Sequence, residues 1–179
     1  MLHVEDTALV LIDVQGKLAQ IVENSETLHI NISKLIRGFQ ALEVPILWLE
    51  QIPEKLGPTT KSLAELFKNQ RPIAKTTFSA VRNNDFMDRL QRSKRRKLLL
   101  AGIETHICVY MTASELVANN YYVEVIADAV SSRNPKNHAI GIAKMQNQGV
   151  SVTCVETVLY ELLGDARSEH FKNILEIVK

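Results

Sequence analysis

The stretch LLLAGIETHICV, Leu98 to Val109, runs from an unbroken apolar segment through Gly102 into residues that include His106 and Cys108. An apolar run without polar alternation suits a strand buried on both faces, as parallel strands covered by helices are. Gly102 to Thr105 reads as a tight turn feeding a helix. Strand, turn and helix in this order form half of a βαβ unit, with a thiol just past the strand's carboxyl end. In open α/β sheets that is where ligands bind.

Working outward, four more apolar runs stand at Ala8 to Ile12, Val44 to Leu49, Tyr121 to Ala127 and Val150 to Val155. Between them the spacing turns helical. In Thr27 to Leu42, the residues Leu28, Ile32, Leu35, Ile36, Phe39 and Leu42 fall near one helix face, and Asn31, Lys34 and Arg37 fall largely elsewhere. Arg82 to Leu90, His106 to Ala118 and Pro135 to Asn147 read as further helices. Asn134 offers the last of these an N-cap and Pro135 a first helical residue, and Gly149 suits its end. Alternating strands and helices predict an α/β fold, a doubly wound, mainly parallel sheet with helices on both faces. Only Gln51 to Lys75 breaks the rhythm, with Pro53, Gly57, Pro58 and Pro72 around a short helical stretch at Lys61 to Lys68. It reads as a surface excursion near the strand ends, either a binding loop or plain surface.

Length and composition set the frame for function. The 179 residues fit a single domain over 1–179, large enough to hold a core without staples. A formal charge of +1 supplies no global field for nucleic acid or anionic lipid. The one basic run, Ser93 to Lys97, has no interleaved aromatic and directly precedes a buried strand, so it reads as a solvated loop. No run approaches a membrane span, the first residues lack the pattern of a signal peptide, and two cysteines make no disulfide framework. The expectation is a cytoplasmic protein with free thiols, without nucleic-acid or membrane partners.

Three polar residues close or follow apolar strands. Asp13 ends the first run and could be a turn cap or a catalytic carboxylate. Lys75 ends Pro72 to Ala74 and could be a solvated lysine or a charge inside a site. Cys108 could fill a core, or sit in a helix's first turn, where unpaired N–H groups favour thiolate. Cys154, inside a strand pattern with no adjacent charge, reads as a core thiol. His106 lies two residues from Cys108 and would point elsewhere on a helix. His3, His29, His138 and His170 read as structural or solvated. No HxH, HExxH or CxxC spacing announces a metal, and GxGxxG, GxxxxGK[ST] and GxSxG are absent.

Taken in order, Leu11 to Gln15, Glu50-Gln51 with Leu56 to Thr59, Lys75 to Ala80, Gly102 to Val109 and Asp128 to Arg133 resemble the isochorismatase-like cysteine hydrolase family over nearly the whole chain. The pattern looks closest to its isochorismatase domain-containing branch. The resemblance implies a Rossmann-like sheet and an Asp-Lys-Cys triad on Asp13, Lys75 and Cys108. It also implies a cis peptide before Glu104, with the backbone N–H groups of Glu104 and Cys108 forming an oxyanion hole. Gln15, Glu50, Phe78 and Thr105 are the expected substrate-binding residues, and the expected wall draws on Gln51 to Lys61, Phe78 and Ser131 to Asn134.

Metal-binding nicotinamidase-like members carry Asp-x-His after the second strand, where this chain has Glu50-Gln51-Ile52. No metal or other cofactor is therefore expected. Founding isochorismatases cleave a vinyl ether without a nucleophilic cysteine, so Cys108 points to acyl chemistry instead. The resulting expectation is a hydrolase, an amidase in class, that cleaves the C–N bond of a small amide or carbamoyl compound through a thioester. Its partner is a small-molecule substrate, and the assembly a homo-oligomer. The competing readings are an inactive interaction protein that keeps the fold and, less strongly, a thiol redox sensor.

Overall fold

The computed structural model describes residues 1–179. Six parallel strands form one sheet: β1 (Thr7–Ile12), β2 (Ile46–Gln51), β3 (Ile73–Lys75), β4 (Lys97–Ile103), β5 (Tyr122–Ser131) and β6 (Ser151–Thr153), in the spatial order β3-β2-β1-β4-β5-β6. The winding direction reverses between β1 and β4, which opens a crevice at their carboxyl ends.

The unbroken apolar runs have a direct structural cause. Along β1, Leu9 and Leu11 join one core cluster while Ala8, Val10 and Ile12 join the other, so no position of the strand is left for water. The first face is covered by α2 (Ser25–Ala41), α8 (Val155–Leu163) and α9 (Phe171–Val178), with α1 (Leu18–Ile21) packed on α2. The second is covered by α5 (Asn84–Ser93), α6 (Tyr110–Ala118) and α7 (Pro135–Asn147). Each fully buried leucine or isoleucine in these layers contributes roughly 1.5–3 kcal/mol. The side chain of Asn134 caps α7 by accepting from the Lys136 N–H, and α7 spans the whole of the expected segment.

The irregular segment after β2 holds two single-turn helices, α3 (Pro53–Leu56) and α4 (Lys61–Ala64), the second shorter than the expected Lys61 to Lys68. It is stitched back onto the sheet. Gln15 donates to the carbonyls of Gln51 (3.1 Å) and Gly57 (2.6 Å) and accepts from the Gln51 N–H (2.6 Å). Trp48 stacks on Phe67 and donates from Nε1 to Thr59 Oγ1, while Glu50 Oε1 accepts from the Thr59 N–H.

Three expectations are corrected. β5 continues past Ala127 to Ser131, because a register shift against β4 between Leu100 and Gly102 takes up the extra residues. Thr105 to Val109 form a π-helical turn before α6 instead of the first turn of one α-helix. Cys154 is not a core thiol: it lies past the short β6 at the N-cap of α8, half-buried, with Sγ 3.1 Å from Thr157 Oγ1.

Candidate active site

Asp13 follows β1 directly, with φ +53° turning the chain off the strand, and its side chain is buried. Aspartate tolerates this left-handed conformation better than most residues, and such residues recur at functional sites. Next to it, β4 must pass very close to β1. A Cβ on Gly102, at φ +121°, would stand 2.0 Å from the Ile12 carbonyl oxygen, so only glycine fits. That approach brings the chain after Gly102 alongside Asp13.

Lys75, at the end of β3, is 2% exposed. Its Nζ lies 2.7 Å from Asp13 Oδ2 and 2.5 Å from Gln51 Oε1, and donates to the carbonyls of Thr77 (3.1 Å) and Phe78 (3.3 Å). A buried ammonium is tolerated only when paired and hydrogen-bonded, and here four acceptors surround it. The other oxygen of the carboxylate, Asp13 Oδ1, is buried and receives no hydrogen bond. Burial raises the Asp13 carboxyl above its usual range, although Lys75 pulls the other way.

Asp13 and Cys108 both line a cavity of about 290 Å³, whose wall also includes Gln15, Gln51, Ile103 and Glu104. Cys108 is 8% exposed. Burial, and then the neighbouring Asp13 carboxylate, push its thiol up to about 12 against the opposing pull of Lys75. Of the two readings of Cys108, a core-filling thiol or a helix-start thiolate, this upward shift goes against a pre-formed thiolate. The π-turn leaves the sulfur inside the protein, and desolvation next to a carboxylate outweighs any helix-terminal field.

The peptide bond between Ile103 and Glu104 is cis, and Glu104 begins the turn that carries the cysteine. The Glu104 side chain is anchored by Arg133, whose backbone N–H, Nε and Nη2 donate to it at 3.1, 3.1 and 3.2 Å. Burial alone would raise this carboxyl, and these bonds hold it below the usual range.

The remaining expected residues divide. Phe78, 56% exposed, lines the cavity mouth with Leu18, Leu56 and Ile107. Gln15 lines it too, while bridging β2 to the α3 loop. Glu50 lies outside the wall, spent on the Thr59 N–H, and Thr105 is fully buried with Oγ1 2.9 Å from His138 Nδ1. Ser131 to Asn134 do not reach the cavity either, because Arg133 serves Glu104 from behind and Ser131 donates to the Glu23 carbonyl. His106 pairs with Ser132 Oγ at 2.9 Å. Lys17, Leu18 and Ile107 were not singled out in the sequence, and no local signal marks them. No group of three or more His, Cys, Asp or Glu side chains is arranged to hold a metal ion, and no helix is long and apolar enough to cross a membrane.

Residues 7–157 match the model of the isochorismatase domain. Isochorismatase domain-containing protein 2A of Mus musculus is 34% identical over 176 residues, which cover 98% of this chain and 84% of that protein. The solved structure of the MAR1 ribonuclease from Caenorhabditis elegans superposes with a TM-score of 0.93 at 29% identity, covering 99% of this chain and 91% of that one. The structure of YcaC from Pseudomonas aeruginosa, with hexane-2,5-diol and covalent acrylamide, gives a TM-score of 0.92 at 25% identity over 98% and 90% of the two chains. A domain match over most of the length, on the fold its relatives share, means that the chain belongs to the isochorismatase-like hydrolase family.

Proposed function

We propose that the protein is a cysteine hydrolase that cleaves the C–N bond of a small amide or carbamoyl compound, without a metal, through a thioester on Cys108. The observation that carries this reading is the carboxylate oxygen Asp13 Oδ1, which is buried and lacks a donor in the same cavity wall as Cys108. Its partner oxygen is held by Lys75. A thiol at about 12 is a poor nucleophile by itself, so its proton must leave as the bond forms. Asp13, whose burial makes it a stronger base than an ordinary aspartate, is the acceptor in reach of that role.

In the first step Sγ bonds to the carbonyl carbon, the carbonyl π pair moves onto oxygen, and the thiol proton passes to Asp13. The backbone N–H groups of Glu104 and Cys108 receive the oxyanion, a contribution of roughly 2.7–4 kcal/mol per donor in a water-excluded site. The C–N bond then breaks, Asp13 returns the proton to the departing nitrogen, and ammonia or an amine leaves. Water attacks the thioester with its proton going to Asp13, the C–S bond breaks, and the sulfur recovers the proton. Lys75 keeps Asp13 in place through their 2.7 Å contact. The cavity volume, at the low end for ligand sites, suits a small molecule.

The test is ammonia release from a panel of small primary amides and N-carbamoyl compounds by the wild type and by Cys108→Ala. Release by the wild type that falls to background in the variant is expected. Equal release by both, or none by either, overturns the assignment.

A further inference from the structure

The charges around the cavity do not balance. Four charged side chains line it: Asp13, Glu104, Lys17 and Lys55. The two acids are already neutralised from behind, Asp13 by Lys75 and Glu104 by Arg133. Lys17 and Lys55 have no ion pair or side-chain hydrogen bond, and both are exposed. Glu54, the nearest acid in sequence, does not line the cavity. Two lysines without a counter-ion therefore border an otherwise neutral, partly apolar hollow.

Their placement is built rather than incidental. Lys17 follows Gly16 and Lys55 precedes Leu56, and these two neighbours are in backbone contact. The Gly16 N–H donates to the Pro58 carbonyl at 3.2 Å, and a Cβ on Gly16 would stand 2.2 Å from the Leu56 carbonyl oxygen. Gln15 adds its bond to the Gly57 carbonyl, and the Thr60 N–H donates to the Val14 carbonyl at 3.0 Å. The two lysines thus stand on segments sewn to each other, so the positive mouth requires no rearrangement of the loop. Like charges carried at one rim on held backbone attract an anion and disfavour a cation, in solvent-screened form because the side chains are exposed.

We infer that Lys17 and Lys55 form an anion clamp at the mouth of the Cys108 cavity and select small amides whose far end carries an anionic group. This rests on the hydrolase reading for what happens to the amide, but not for the binding preference. Leu18, Leu56 and Phe78 would flank the short carbon chain between the two ends.

The experiment measures binding on Cys108→Ala protein by calorimetry, with two probes of equal length: glutaramate, an amide with a carboxylate end, and glutaramide, its uncharged diamide. Glutaramate is expected to bind about tenfold more tightly at low salt, with the preference shrinking as salt rises. In Cys108→Ala carrying Lys17→Gln and Lys55→Gln, the preference should disappear while glutaramide affinity changes less than about twofold. Equal affinity for both probes, a preference that survives the double lysine change, or binding of neither probe overturns the clamp. Ammonia release by wild-type protein separates the two claims. Lysine-dependent binding without release leaves the clamp standing and sinks the hydrolase, whereas release without lysine dependence does the opposite.

Discussion

Lys75 Nζ sits 2.7 Å from one oxygen of Asp13, and the second oxygen is buried without a donor beside the cavity that holds Cys108. One carboxylate thus has two roles divided between its oxygens: one holds the ammonium, the other remains free to take a proton. The ion pair joins residues 62 positions apart, at the ends of β1 and β3.

Replacing Asp13 by Asn removes the proton acceptor with little change in size. A loss of about 10²- to 10⁴-fold in kcat/KM is expected, with the circular dichroism spectrum unchanged. Because the Asp13 carboxyl is raised by burial, wild-type activity should fail on acidification at a pH above the ordinary aspartate value of 3.8. An acid limb of kcat/KM below that value, or an active Asp13→Asn, would remove Asp13 from its role.

Lys75→Met leaves a buried carboxylate without its counter-charge. Urea unfolding should show a loss of about 3–5 kcal/mol, because an uncompensated buried charge costs far more than the pair contributes. Combining it with Asp13→Asn should recover part of that loss. A double variant as unstable as the sum of the singles would show that the two side chains are energetically independent.

The Cys108 thiol is pushed up to about 12 by burial and Asp13, so the resting form at pH 7 is the thiol. In a Cys154→Ser background, the rate of iodoacetamide labelling of substrate-free protein should keep climbing with pH through about pH 10, without a plateau near neutrality. A plateau below pH 9 would mean a pre-formed thiolate and a different first step.

Glu104 is held below its usual range by Arg133, so the sign of its pH effect is fixed. Its stabilisation is complete above the unfolded-state value of about 4.5 and is lost as pH falls through the lower folded value. Arg133 is 57% exposed, which screens the pair, and Glu104→Gln should lower stability at pH 7 by about 1 kcal/mol. The difference between the two proteins should shrink as the pH drops below 4. A gap that stays constant down to pH 2 would contradict an ionic origin.

Much of the architecture is legible in local sequence. Continuous apolar runs at Ala8 to Ile12 and Leu98 to Ile103 report strands buried on both faces, and the spacing in Thr27 to Leu42 reports α2, because burial leaves a periodic record in residue order. Asp13, Lys75 and Cys108 at or just past strand ends are visible as well, and the family resemblance is what joins them into an expected triad. Less legible is the extent of the short elements: β6 and α4 lie inside the expected Val150 to Val155 and Lys61 to Lys68 but have only three and four residues, too few for a period to mark their ends.

The properties that make the site belong to the tertiary structure. Cys108 reads from sequence as either a core thiol or an activated one, and burial beside Asp13 raises it, since desolvation depends on neighbours brought from the ends of β1 and β3. The resemblance makes Glu50 a substrate-binding residue until the folded chain gives it the Thr59 N–H, and Arg133, inside the expected wall segment Ser131 to Asn134, pairs with Glu104 instead. Lys17 and Lys55 stand out only after folding joins Gly16 to Leu56. Periodicity encodes which side of an element is buried, and the sequence alone determined that much. Charge balance and proton position depend on distances between residues far apart in the chain, and only the assembled sheet decides them.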